Sequence, residues 1–248
     1  MPSAELILSE NNGTVTVSLS AYDASGIAAT RLDMGDGSVF DDAISMYRYK
    51  EPGTYTVSAT VTSGEGISRT LTAKVTATKG YEPPEYKGYG NLAYLGIITC
   101  NVGQPKGSGS KDIEIIRDGK ITRTNLGQYD TFFYRGDPHE EYIGYVFSEA
   151  YSFDKVVFTE GMQFDNGGWF ENGTLRIEAL IDGSWKKLDV VSEPEYPNGN
   201  KQSDFGANFE TYTFAFEPVK ASGIRLIGSA GGSMHFISVA ELEVYGSR

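Results

Sequence analysis

Gly223-Ile-Arg-Leu-Ile-Gly-Ser-Ala-Gly-Gly-Ser-Met-His-Phe-Ile-Ser-Val-Ala-Glu-Leu-Glu-Val-Tyr-Gly246 reads as two closing strands of a sandwich around one glycine-rich turn, Gly228 to His235. From Phe236 to Tyr245 the apolar side chains fall mainly on Phe236, Val239, Leu242 and Val244, so the period of two slips once near Ala240-Glu241. The slip predicts a strand irregularity with a carboxylate, Glu241, beside it.

Upstream, the same alternation recurs in short segments without a helix-length apolar period. Candidate strands run over Leu92 to Ile98, Ile113 to Ile116, Tyr142 to Phe147, Lys155 to Phe158, Thr174 to Ile181, Trp185 to Val191, Phe209 to Phe216 and Ile224 to Ile227. The clearest hairpin is Glu171-Asn-Gly-Thr-Leu-Arg-Ile-Glu-Ala-Leu-Ile-Asp-Gly-Ser-Trp-Lys-Lys-Leu-Asp-Val-Val191, where Asp182-Gly183 supplies the two positive φ angles of a two-residue turn. Thirty glycines, sixteen tyrosines and thirteen phenylalanines in 248 residues fit an all-β chain. The expected architecture of this part is a jelly-roll-like β-sandwich.

Residues 78 to 90 combine Pro83-Pro84, three glycines and charges without apolar periodicity, which is linker composition. The domains are therefore placed at 1–80 and 90–248, with 81–89 as linker. Before the linker, Thr14 to Ser20, Ala28 to Asp33, Gly53 to Thr62 and Ile67 to Thr78 alternate, with Asn12-Gly13, Gly35-Asp36-Gly37 and Gly64-Glu65-Gly66 between them, so a small immunoglobulin-like sandwich is expected. Residues 1–80 carry 6 basic against 9 acidic groups and residues 81–248 carry 15 against 24, for a net charge of -12. Such a surface repels nucleic acid and anionic membrane. The single Cys100, among Ile97, Ile98 and Val102, forbids an internal disulfide and reads as a small buried hydrophobe. No run reaches the length of a membrane span, and Met1-Pro-Ser-Ala lacks the regions of a leader.

Catalysis finds little support. There is no G-x-S-x-G elbow, His139-Glu140-Glu141 lacks the second histidine of a zinc H-E-x-x-H motif, and Gly88-Tyr-Gly-Asn-Leu-Ala93 follows a proline-rich linker and precedes a strand instead of a helix. Paired carboxylates decide nothing among 33 acidic residues. Sugar recognition asks for an exposed aromatic face ringed by a few hydrogen-bonding groups on loops. Three loops qualify: Phe132 to His139, Glu160 to Glu171, and Gly228 to His235. The candidate ligand contacts are Phe133, Tyr134, Arg135, His139, Glu160, Gln163, Asn166, Trp169, Phe170 and His235. The glycines of the second loop are expected to leave Trp169 and Phe170 exposed near its tip, and Trp169 reads equally as a ligand platform or a packing lid. Phe132, Trp185 and Phe236 are expected in the core, and Arg225 on a solvated strand face.

Two resemblances add to this reading. Gly35-Asp36-Gly37 with Tyr49 and Pro52-Gly53-Thr54-Tyr55-Thr56-Val57 resembles the PKD repeat, with Leu32 and Met34 where that repeat has Trp and Phe. This implies a spacer without chemistry. "FISVAELEVYG" resembles the last strand of the galactose-binding-like sandwiches, namely discoidin (coagulation factor type C) domains and carbohydrate-binding modules of family 32. This implies a non-catalytic sugar binder, for galactose or N-acetylgalactosamine termini, that tethers a parent catalytic domain to glycans. A secreted or cell-surface bacterial protein, monomeric and without membrane insertion, is implied with it. The rivals are an adhesive discoidin-type domain for protein or lipid, and an enzyme active on glycosides. The resemblance also implies one structural calcium, held by Asp118, Asp130, Thr131, Ala240 and Glu241, since a hard cation takes six to eight oxygens.

Overall fold

The computed structural model describes residues 1–11, 13–41, 43–44, 46–81, 88–103, 105–133, 137–196 and 209–248. The chain is all-β: among the described residues there is no α-helix, and three 3-10 turns cover Ala93–Leu95, Ile113–Arg117 and Asn125–Gly127. No helix is long and apolar enough to cross a membrane. Two compact units form, residues 1–84 with 99–103, and residues 85–98 with 104–248.

The first unit is a small sandwich. One sheet orders β1 (Ser3–Asn11), β2 (Thr14–Tyr22) and, beyond β3 (Ile27–Asp33) and β4 (Val39–Phe40) in the chain, β5 (Met46–Tyr47) as β1-β2-β5. The other adds β6 (Gly53–Ser63) and β7 (Ser68–Ala77) in the order β4-β3-β6-β7. Val15, Val17, Val57, Ala59 and Val61 face inward, as their alternation requires. Leu32 and Met34 are fully buried beside them. Tyr49 satisfies its hydroxyl on the Met34 carbonyl at 2.8 Å and stacks on Tyr55 at 3.7 Å. Gly35 has φ 80°, and a Cβ there would lie 2.5 Å from the Thr56 carbonyl oxygen, so only glycine fits the turn.

The second unit is a jelly-roll-like antiparallel sandwich built from β8 (Tyr89–Asn91), the first half of β9 (Ile97–Cys100), whose residues 99 and 100 count with the first unit, β10 (Tyr129–Asp130), β11 (Glu140–Glu160), β12 (Arg176–Ile181), β13 (Ser184–Lys187), β14 (Val191–Glu193), β15 (Thr211–Ser229) and β16 (Ser238–Ser247). The main order is β10-β16-β11-β15-β12-β13, with β8 on β16, β9 on β11 and β14 on β15. Four expected strands are in fact two: β11 and β15 pair along their whole length, with ladder irregularities between Val146 and Tyr151 and between Phe153 and Lys155. Ile113 to Ile116, expected as a strand, is a 3-10 turn capped by the Asp112 carboxylate. Ile113 and Ile116 are buried three residues apart, the spacing of a 3-10 turn, and the Asp112 side chain accepts from Glu114 N at 3.0 Å, which starts that turn.

Asp182 (φ 51°) and Gly183 (φ 76°) make the expected two-residue hairpin, with Ile181 opposite Ser184. Cys100 is buried. The slip in the last strand is a bulge: Thr159 pairs with Glu241 and Glu160 with Val239, so Ala240 is the extra residue.

The core fills with Ile143, Tyr145, Phe153, Val156, Phe158, Ile177, Tyr212, Leu226, Leu242 and Val244. Each large apolar side chain contributes about 1.5–3 kcal/mol by leaving water. Arg225 corrects the expectation of a solvated residue. It is 9% exposed, lies 4.2 Å from the Trp185 ring and 4.9 Å from the Tyr142 ring, and donates to Glu178 Oε2 from Nε at 3.0 Å and from Nη2 at 2.8 Å. A guanidinium with aromatic faces and a carboxylate can be buried because every part of it has a partner.

Candidate functional site

The three loops singled out in the sequence converge. Thr131 N donates to the Ile237 carbonyl at 2.9 Å, and Ile237 N returns a 2.9 Å bond to Thr131 Oγ1. Ala230 N donates to the His139 carbonyl (3.0 Å), Gly168 N to Phe236 (2.8 Å), Gly231 N to Trp169 (2.8 Å) and Met234 N to Asn166 (2.9 Å). Around Phe236, Phe132 packs edge-on at 5.3 Å and Phe164 at 5.9 Å. The backbones thus hold one another, as a site of fixed geometry needs.

The individual residues divide. Phe133 is 42% exposed, with Lys106 Nζ 5.7 Å from its ring centre. His139, His235 and Asn166 are half-buried around the same loops, and the two histidine rings meet edge to face at 6.1 Å. His235 adopts φ 46° and sets Nδ1 3.2 Å from the Ala230 carbonyl. Tyr134 and Arg135 lie outside the described residues.

The expected exposure of Trp169 and Phe170 is corrected: they are 6% and 2% exposed. Gly231 lies so close that a Cβ on it would fall 2.2 Å from Trp169 Nε1, and Phe170 packs on Phe158 and Tyr196. The missing side chain of Gly231 opens a slot that the indole fills, which puts Trp169 among the packing groups. Glu160 and Gln163 also turn inward, at 1% and 5% exposure, with the Gln163 amide donating to both Glu160 oxygens at 3.1 Å. Glu160 ends β11 opposite Val239, a position fixed by the ladder and not by the loop. Phe132 and Trp185 are half-buried instead of fully in the core, while Phe236 is buried as expected. Sequence reasoning missed Phe164, half-buried beside Phe236, and Glu141, 1% exposed, whose Oε1 lies 2.8 Å from His139 Nε2. An aromatic two residues before Asn166-Gly167-Gly168 was the available signal for Phe164.

The five expected cation ligands separate into two places. Glu241, 5% exposed on the bulge of β16, accepts from Gly119 N at 3.3 Å and from Lys120 N. Asp118 shapes that turn by accepting from Lys120 N at 2.8 Å. Burial pushes the Glu241 carboxyl up to about 7, and the nearby Asp118 and Glu243 charges push the same way. Glu241 Oε2 is buried without a hydrogen-bond partner. A buried carboxylate oxygen left so, beside a second carboxylate, has the chemistry of a hard-cation ligand. Ala240 adjoins it as the bulged residue.

Asp130 is elsewhere in role: its oxygens accept from Gly109 N at 2.7 Å and Phe132 N at 3.3 Å, and burial raises its carboxyl above the usual range. A Cβ on Gly107 would come within 2.0 Å of Asp130 Oδ1, so backbone closes over this carboxylate. The Thr131 hydroxyl is engaged by Ile237. Among the described residues no group of three or more His, Cys, Asp or Glu side chains could hold a metal ion, so Asp118, Asp130 and Glu241 do not form one cluster.

Residues 3–78 match the family model of the PKD domain. No curated protein matches the chain. Among solved structures, the PKD1 domain from the Vibrio cholerae metalloprotease PrtV is similar at 26% identity and TM-score 0.30, covering 32% of this chain and 98% of that one. The family 32 carbohydrate-binding module of Clostridium perfringens NanJ, solved with galactose, is similar at 18% identity and TM-score 0.45, covering 63% of this chain and 98% of that one. Chitosan-binding module 1 of a chitosanase/glucanase from Paenibacillus sp. IK-5 is similar at 17% identity and TM-score 0.41, covering 63% and 99%.

Proposed function

We propose that the second unit binds glycans without catalysis and that the PKD unit is its spacer. The observation that carries this reading is the joining of loops 131–139, 161–171 and 230–237 by mutual backbone bonds around Phe236. They carry an exposed Phe133 and half-buried Phe164, His139, Asn166 and His235. An exposed aromatic face supplies the apolar contact for a pyranose C–H face, and imidazole and amide groups supply hydrogen bonds to hydroxyls. In this reading the platform is Phe133 with Phe164, and Trp169 supports it from beneath.

Galactose or N-acetylgalactosamine termini are the proposed ligands, and the proposed role is to hold a parent catalytic domain of a secreted or cell-surface bacterial protein on its glycan, as a monomer. A structural calcium at Glu241, Asp118 and the Ala240 carbonyl is part of the proposal. When bound, it would supply the positive charge that the buried Glu241 oxygen lacks. Asp130 and Thr131 are left out of it, since backbone groups already occupy them. A glycan array tests the reading: binding concentrated on such termini is the expected result, and an array without signal for the folded chain contradicts it.

A further inference from the structure

We propose that His139 and Glu141 share a proton which they keep at pH values where an ordinary histidine is neutral, and that this proton clamps the ligand loops, so that glycan binding weakens on the alkaline side. The binding half rests on the glycan reading above; the proton half rests on hydrogen-bond geometry alone.

His139 Nδ1 lies 2.7 Å from the main-chain carbonyl oxygen of Asp137, a group that only accepts. Its Nε2 lies 2.8 Å from Glu141 Oε1, and an ionised carboxylate also only accepts. A neutral imidazole has one N–H and cannot serve both contacts. In this proposal the ring carries both protons, opposite an ionised Glu141. Removing the Nε2 proton sets a nitrogen lone pair against a carboxylate oxygen on a side chain that is 1% exposed, where water cannot step between them.

Among the described residues, His235, Glu140 and Asp137 are charged or titratable groups near this pair. From the 230–237 loop comes His235, 6.1 Å away ring to ring. Its Nδ1 lies 3.2 Å from the Ala230 carbonyl oxygen, which only accepts, so a bond there takes a proton on that nitrogen. On β11, Glu140 is held by Arg176 of β12, Nη1 to Oε1 at 2.6 Å. Asp137 precedes the pair on its own loop.

The clamp acts on the ligand loops directly, since the main chain of His139 accepts from Ala230 N at 3.0 Å. The folded pair holds its proton more tightly than the unfolded chain, in which histidine releases it near about 6.5. The clamp is therefore complete below about that pH and is lost as pH rises through the folded value.

The chain has two histidines, so the ring-nitrogen spectrum of the full-length protein labelled with 15N-histidine, assigned with His235→Gln, reads each ring separately. At pH 8 the His139 nitrogens are expected to show two protonated positions, and Glu141→Gln should convert His139 to a single neutral tautomer. A neutral His139 in the wild type at pH 7 to 8 overturns the proposal. Calorimetric titration with methyl β-galactoside and methyl N-acetyl-β-galactosaminide should show affinity falling about tenfold between pH 6.5 and 9, the equivalent of one unit of linked proton binding. A doubly protonated His139 with affinity independent of pH overturns the clamp and leaves the glycan reading standing. A doubly protonated His139 in a chain that binds neither glycoside at any pH contradicts the glycan reading, and the binding half of the clamp with it.

Discussion

Trp169 and Phe133 divide labour in a way that sequence leaves open. Both are aromatic residues on the candidate loops, yet the indole is 6% exposed against Gly231 and the phenyl is 42% exposed. Burial of this kind assigns Trp169 to stability. Trp169→Ala should leave a cavity and cost about 3–5 kcal/mol, read as a lower denaturant midpoint or melting temperature. An unchanged melting temperature would return Trp169 to the list of open platforms. The reason this was illegible is that the slot is made by the absent side chain of Gly231, sixty-two positions downstream; no local pattern around Trp169 encodes it. Glu160 was hidden in the same way, because the ladder opposite Val239 turns it inward, and Gln163 faces inward with its amide donating to both Glu160 oxygens.

At the scale of elements, the most legible feature was the one in the final strand. The slip in its apolar period is the Ala240 bulge, and the bulge sets Glu241 against the Asp118–Gly119 turn. Hairpin chemistry at Asp182-Gly183 was equally local and equally readable. The long strands β11 and β15 were not, because their ladder irregularities interrupt the alternation and mimic turns. Asp130 accepts from Gly109 N and Phe132 N, partners that chain spacing in the sequence does not reveal.

A prediction belongs to this bulge. In calcium-free protein burial holds the Glu241 carboxyl near 7, well above its unfolded value of about 4.3, so the stability it contributes is present below that value and is lost as pH rises through about 7. The melting temperature should therefore fall between pH 5 and 8 with chelator present, calcium should remove the fall, and Glu241→Gln should abolish both effects. Identical melting curves with chelator and with excess calcium at pH 8 would contradict the cation proposal.

For the whole molecule, two complete strand sets and a Pro-Pro segment between them lead to a simple expectation. Residues 1–80 and 88–248, made separately, should each unfold in one cooperative transition. The first compact unit also takes in residues 99–103, so the first piece alone should melt below its counterpart in the full chain. A second piece without a cooperative transition would show that the division is misplaced. The all-β class and the PKD-like first unit were legible at this scale, whereas the joining of loops 131–133, 161–171 and 230–237 became visible only with their backbone pairing.

The central claim, that these joined loops bind a sugar through an exposed aromatic face, is tested most directly by titration calorimetry of the full chain with methyl β-galactoside and methyl N-acetyl-β-galactosaminide, wild type beside Phe133→Ala. A few hydrogen bonds of about 0.5–1.5 kcal/mol net and one partly covered ring place the wild-type dissociation constant in the millimolar to micromolar range, about 4–8 kcal/mol. The account predicts that Phe133→Ala loses measurable binding while its melting temperature stays within a degree or two, as suits a side chain about 42% exposed. Undiminished affinity in Phe133→Ala, or a folded wild type that gives no heat with either glycoside, would contradict it.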